Sequence, residues 1–212
     1  MIRARTENTI GVIMRKTTIA ILFLLVSSAA TFAQEHKEQS APPVRPPQTQ
    51  TPPQSQGQPY PYRYNSPEGR YAVLLPAEPR VSSQNATTPD GSPLTQYMAM
   101  VGDGDGMLMV AYFDYSSDVQ FNLDKARDGM VNSVRGSLLD EHSISLGGSP
   151  GRQIRVLGRT EQGMEFIDRA RFYDVKPRVY VLQCIIPKNL DSAAIAEKCE
   201  RFFDSFRVRS TP

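Results

Sequence analysis

Three pairs of apolar runs, each joined by only a few turn-forming residues, constrain this chain more than any other feature. Leu94–Val101 and Met107–Tyr115 are linked by Gly102-Asp103-Gly104-Asp105-Gly106. Ser143–Leu146 and Arg152–Leu157 flank Gly147-Gly148-Ser149-Pro150-Gly151, and Gly163–Val175 meets Arg178–Ile186 around Lys176-Pro177. Linkers this short join antiparallel neighbours, because a parallel pair needs a crossover of about a dozen residues or more. Tyr71–Leu75, stopped by Pro76, and Arg80–Ala86, before the turn Pro89-Asp90-Gly91, read as further strands. The apolar period changes at Leu123, Ala126, Met130, Val131, Val134 and Leu138, whose spacing predicts a helix with Asn122 or Asp118 as its cap. A second helix is predicted from about Ser192 to Ser205, with Asp191 as cap and Ile195, Cys199, Phe202 and Phe206 as its apolar face. Two helices need an apolar sheet face to cover. The expected class is therefore α+β, a mostly antiparallel sheet of about six to eight strands flanked by two main helices.

The regions ahead of this pattern differ in kind. Met14-Arg15-Lys16 precedes the apolar run Ile19–Val26, and small residues follow to Thr31-Phe32-Ala33, the order of an export signal. Ile19–Ala33 spans 15 residues and is interrupted by Ser27, Ser28 and Thr31. A membrane-spanning helix needs roughly 20 mostly apolar residues, so a removed leader over residues 1–33 is favoured over a retained anchor. The polar stretch Met1–Ile13 fits neither, which points to Met14 as the true start. No cysteine stands near Ala33, so bacterial lipoprotein-type attachment is not expected. The expected location is periplasmic or secreted. Residues 34–62 are proline- and glutamine-rich, with little apolar to bury, and read as an extended solvated linker. Its Pro43-Val44-Arg45-Pro46 matches a PxxP docking pattern, common in any proline-rich tract. Residues 63–209 then have the size and composition of one globular domain.

Charge narrows the partner classes. The formal net charge is +2, and the leader holds Arg3, Arg5, Arg15 and Lys16 against Glu7, a net of +3. Residues 34–212 are left at −1, which offers no electrostatic case for nucleic acid or for an anionic membrane surface. The two cysteines, Cys184 and Cys199, are 15 residues apart. In an oxidising compartment an even count suggests a disulfide, the alternative being two buried thiols. The period of two puts Tyr180, Leu182, Cys184 and Ile186 on one strand face, and the helical spacing turns Cys199 toward the sheet, so a contact is geometrically reasonable. A C-x-x-C redox motif is absent, and any bridge is expected to be structural.

A family likeness rests on three stretches. Tyr64-Asn65-Ser66-Pro67-Glu68-Gly69-Arg70-Tyr71 leads into Val73-Leu74-Leu75-Pro76-Ala77-Glu78-Pro79, Gly148-Ser149-Pro150-Gly151-Arg152 stands mid-chain, and the domain closes on Phe202-Phe203-Asp204-Ser205-Phe206-Arg207. In this order they resemble bacterial exported relatives of the PsbP-like fold, over about residues 62–209. The resemblance implies an α/β/α sandwich around an antiparallel sheet. It also implies a non-catalytic accessory or binding role, as in a photosystem II subunit and a Ran-binding factor, though neither of those partners fits this chain. It transfers no catalytic residue and no cofactor.

The remaining chemistry is sparse. Histidine occurs only at His36, in the linker, and His142, and no G-x-S-x-G elbow exists. Cys184 with His142 is a conceivable nucleophile–base pair, more simply read as a core cysteine and a surface strand histidine. Asp103 and Asp105 invite a calcium reading, but Met107 and Asp114 fall where the calcium-loop pattern needs a third ligand and a glutamate. Arg152, Arg155, Arg159, Arg169, Arg171 and Arg178 recur on consecutive strands, a candidate anion-binding face or, more simply, a solvated sheet face on which the interspersed Glu161, Glu165, Asp168 and Asp174 pair across strands. Tyr60, Tyr62, Tyr64 and Tyr71 form an aromatic lead-in that either clamps the first strand or contacts a sugar or peptide. Asn85-Ala86-Thr87 matches a glycosylation acceptor. The chain thus reads as an exported, non-enzymatic binding or accessory protein of the envelope, working through an unidentified protein partner. The alternatives are a binder of a small anionic or saccharide ligand on the arginine face and a hydrolase using His142.

Overall fold

A computed structural model describes residues 60–87, 93–116 and 119–209, with the backbone at 18–19. The rest of the leader, the linker to residue 59, the turn Pro89-Asp90-Gly91 and Asp118 lie outside the described residues. Strands β1 (Tyr62–Ser66), β2 (Tyr71–Leu75), β3 (Arg80–Thr87), β4 (Pro93–Gly102) and β5 (Met107–Asp114) precede helix α1 (Leu123–Ser133). Then come β6 (Ser137–Leu146), β7 (Ser149–Arg159), β8 (Glu165–Val175), β9 (Arg178–Pro187), α2 (Ala193–Ser205) and the short β10 (Arg207–Val208). A seven-stranded sheet runs in the order β3-β4-β5-β9-β8-β7-β6, and a three-stranded sheet in the order β10-β2-β1. Every pairing in both is antiparallel; short turns dictate this for the hairpins, while β5–β9 and β10–β2 pair strands distant in sequence. The expected α+β class is the observed one.

Strand alternation divides the large sheet's side chains between two cores. On one face Ala111, Phe113, Ile154, Val156, Phe172 and Val181 meet Ala126, Met130 and Val134 at α1. On the other, Leu108, Val110, Tyr180, Leu182, Cys184 and Ile186 meet Cys199, Phe202 and Phe203 of α2. The small sheet joins this second core through Tyr71, Val73 and Leu75. Cys184 and Cys199 are disulfide-bonded, with Cα atoms 5.8 Å apart, and tie α2 to the middle of the sheet.

Several boundaries differ from the pattern-based expectation. Asn122 is the cap of α1, its side chain accepting from Lys125 N at 2.9 Å. The helix stops at Ser133 rather than reaching Leu138, because Arg135 takes a left-handed conformation (φ 46°). Gly136 N–H then returns to Val131 O at 2.9 Å, and Arg135 N–H to Asn132 O at 3.1 Å, satisfying the last carbonyls. A Cβ on Gly136 would stand 2.7 Å from Leu157 O, so the chain's exit beside β7 needs glycine. Leu138 lies exposed on β6, a strand that begins six residues before the expected Ser143. Its turn into β7 is only Gly147-Gly148, both at positive φ as a two-residue hairpin of this type requires. Ser149, Pro150 and Gly151 belong to the strand. The cap of α2 is Ser192, not Asp191. No sequence pattern announces strand β1, and Tyr60 and Tyr62, which share the linker's composition, pack against the second core.

Candidate functional site

Five of the arginines singled out by sequence do share a face of the large sheet, the one that carries α2. Arg155 and Arg159 of β7, Arg169 and Arg171 of β8, and Arg178 of β9 alternate in register with second-core residues such as Ile167, Tyr173 and Tyr180. Arg152 points to the α1 face, where it meets Asp124 and Glu141. The five are matched to carboxylates. Asp191, in the connection between β9 and α2, accepts from both Arg155 and Arg169, the latter at 2.9 Å. Burial pulls the Asp191 carboxyl up, but the bonds from Arg169 and Arg155 outweigh it and hold its pKa below the usual range. Arg171 reaches Glu200 and Asp204 of α2 and lies over the Phe203 ring at 5.1 Å. Arg159 pairs with Glu165. Arg178, its side chain only 8% exposed, makes a forked bond to Asp114, donates to Glu68 O at 2.7 Å and lies over the Tyr112 ring. These guanidiniums hold α2 and the β1–β2 turn onto the sheet, and their charge is answered inside the fold.

The other sequence candidates are likewise committed. Cys184 is spent in the disulfide. His142 is exposed on β6 and bonds Asp140 at 2.9 Å. Lys198 of α2 inserts its ammonium between Asp105 (2.6 Å) and Asp103 (3.0 Å). Asp103 Oδ1 also accepts from the main-chain N–H groups of Asp105 and Gly106, and Tyr60 donates to its other oxygen at 3.0 Å. The acidic turn is therefore a latch closed by Lys198 and Tyr60. Tyr71 is buried and packs edge-on to Tyr64, Tyr112 and Tyr180, with Phe206 at 5.5 Å, which is the strand-clamping arrangement. Asn85, the glycosylation candidate, sits on β3 and accepts from the Thr95 hydroxyl at 3.1 Å.

Sequence reasoning sets Asp168 among the sheet arginines, whose face it does not share, and misses a groove altogether. Asp168, fully buried on the α1 face, accepts from Gln183 at 2.6 Å with its second oxygen unpartnered, and burial pushes its pKa up to about 7. The groove, of about 540 Å³, lies at one end of the sandwich. It opens between the β6–β7 turn, the β8–β9 turn, the β1–β2 turn and β10. Arg70, Lys176, Arg207 and Arg209 stand around it, with Arg178 in its wall and Leu146, Val175, Pro177 and Val208 supplying apolar surface. Among the described residues no acidic side chain lines it. Neighbouring grooves carry carboxylates, Asp204 in the one that shares Arg207 and Asp124 with Asp174 in the one that shares Lys176.

No family model and no curated protein matches the chain. Solved structures do. Cyanobacterial PsbP (CyanoP) from Synechocystis sp. PCC 6803 superposes with a TM-score of 0.51 at 12% identity, over 69% of this chain and 91% of that one. The fold is PsbP-like. Weaker likenesses are to a Pseudomonas aeruginosa protein of unknown function (TM-score 0.42, 11% identity, 71% of this chain and 98% of that one) and to a Bacteroides thetaiotaomicron VPI-5482 protein (TM-score 0.41, 13% identity, 70% and 48%). At such identities the PsbP-like likeness extends to the fold alone. The disulfide fits an extracytoplasmic location, and no helix among the described residues is long and apolar enough to cross a membrane.

Proposed function

We propose that this is an exported accessory domain of the bacterial envelope that works by binding, carried on a proline- and glutamine-rich linker released by removal of residues 1–33. The observation that carries the reading is the commitment of its reactive groups to structure. Cys184 is oxidised onto Cys199, His142 faces Asp140 on an exposed strand, and the arginines of the sheet are bound to Asp191, Glu200, Asp204 and Asp114. What stays open is concave surface between turns, the kind of place where a rigid scaffold presents binding groups. The arginine face that sequence offered as a ligand site is disfavoured by the same observation, since an incoming anion would have to displace carboxylates already in place.

The test is purification of the tagged protein from its own envelope fraction after mild crosslinking, beside an activity screen of wild type and His142→Ala. The expected result is a stoichiometric protein partner and no turnover that depends on His142. A partner-free protein with a hydrolytic activity lost in His142→Ala contradicts the proposal.

A further inference from the structure

We propose that the groove bounded by Lys176, Arg207 and Arg209 is a site for a phosphate-type anion bearing more than one negative charge. This rests on the binding reading above and gives it a ligand class. The distinction from the sheet arginines lies in what each guanidinium is bonded to. Arg207 donates to the main-chain carbonyls of Asp204 (2.6 Å) and Phe206 (2.7 Å), and Arg209 donates to the side-chain oxygen of Asn65. Those acceptors are neutral, so they hold the two side chains without cancelling their charge. Arg209 N–H also donates to Arg70 O at 2.8 Å, which fixes the β1–β2 turn against the end of β10. Lys176, exposed at the β8–β9 turn, borders the same space.

The chain outside the leader has a net charge of −1, so a groove that gathers Lys176, Arg207 and Arg209 with no carboxylate lining it among the described residues is a local concentration of positive potential and not a reflection of overall charge. Guanidinium forks suit the oxygens of phosphate or carboxylate. Several cations around one volume favour an ion with charge on more than one group over a monocarboxylate. Leu146, Val175, Pro177 and Val208 give an attached apolar moiety a surface to rest on. A phosphorylated lipid headgroup and a soluble phosphate ester share this chemistry.

The experiment titrates inorganic pyrophosphate into the full mature ¹⁵N-labelled chain at about physiological ionic strength, following amide shifts, for wild type, Arg207→Gln/Arg209→Gln and Lys176→Gln. Shifts confined to residues 70, 146–149, 175–180 and 207–209, with binding about tenfold or more weaker in the double variant and measurably weaker in Lys176→Gln, are the expected result. Lys176→Gln removes an exposed charge and keeps the test valid if the double variant loosens β10. Flotation with phosphatidylglycerol and with phosphatidylcholine vesicles separates the sources. Groove-dependent retention on the anionic vesicles assigns a lipid headgroup, and pyrophosphate binding without it assigns a soluble ester. No groove shift with pyrophosphate, or equal affinity in all three proteins, overturns the proposal. A protein partner captured by a chain blind to pyrophosphate leaves the accessory reading standing and removes only this site, whereas pyrophosphate binding by a partner-free protein whose hydrolytic activity is lost in His142→Ala removes the accessory reading and keeps the site.

Discussion

Asp168 is the residue at which the fold's own electrostatics are most exposed to test. Its pKa is raised by burial to about 7, against about 3.9 for an unfolded chain. Between those values the folded state holds a proton that the unfolded state has lost, so the contribution is fully present below about pH 4 and is lost as pH rises through 7. Asp168→Asn, which keeps the shape and removes the titration, is expected to gain on wild type with rising pH, by up to a few kcal/mol at pH 8. Denaturant melts of both proteins at pH 5 and pH 8 check this, and a difference independent of pH would refute it. Asp191 has the opposite sign. Its pKa is held low by Arg169 and Arg155, so its contribution is present at neutral pH and is lost as pH falls below the carboxylate range. Asp191→Asn is expected to cost about 1–2 kcal/mol at pH 7, the pair being only partly buried, and less at pH 3. Neither role is legible in the sequence. Asp168 stands in a run of alternating charge that reads as a solvated face, and the partners of Asp191 lie 22 and 36 residues away on other strands.

At the scale of elements, the attachment of α2 is the feature best foretold. The cysteine contact needed only two local periods, alternation along β9 and the helical spacing from Ile195 to Phe206, and both survive folding unchanged. A bridge closing a loop of 15 residues is worth about 3 kcal/mol in the chain-entropy model. The Cys184→Ala/Cys199→Ala variant, or reduction of the wild type, is therefore expected to lower stability by about that amount while far-UV circular dichroism retains the sheet signal. Unchanged stability on reduction would mean that the ion pairs to Asp191, Glu200 and Asp204 hold α2 unaided. Those pairs also qualify any charge-reversal experiment on the sheet. Arg155→Glu with Arg171→Glu would place like charges against Asp191 and Glu200 and loosen α2, so lost ligand retention in that variant would report on packing as much as on a site. The helical period overshoots the C-terminus of α1 because Leu138 continues it. The left-handed turn at Arg135-Gly136 overrides that period, and only the glycine hints at it.

For the whole molecule, the antiparallel sheet and two flanking helices could be read from turn lengths, because a short turn between apolar runs leaves only one topology for each hairpin. The groove could not. Arg70, Lys176 and Arg207 come from turns and strand ends far apart in sequence, and nothing in the local pattern of any one of them announces the others. The arginines that did announce themselves, by recurring along β7 and β8, are the ones the fold uses for its own cohesion. Regular spacing of charge along strands here marks an interface between layers, and the open site lies where several connections converge. In the proposed reading, a disulfide-locked PsbP-like domain reaches an oxidising compartment after losing its leader. Intact-mass spectrometry of the native protein from its envelope fraction addresses that claim most directly. The account predicts a chain beginning at Gln34, two hydrogens lighter than its fully reduced form. A chain that retains the Met14–Ala33 segment, or that carries free thiols at Cys184 and Cys199, would contradict it.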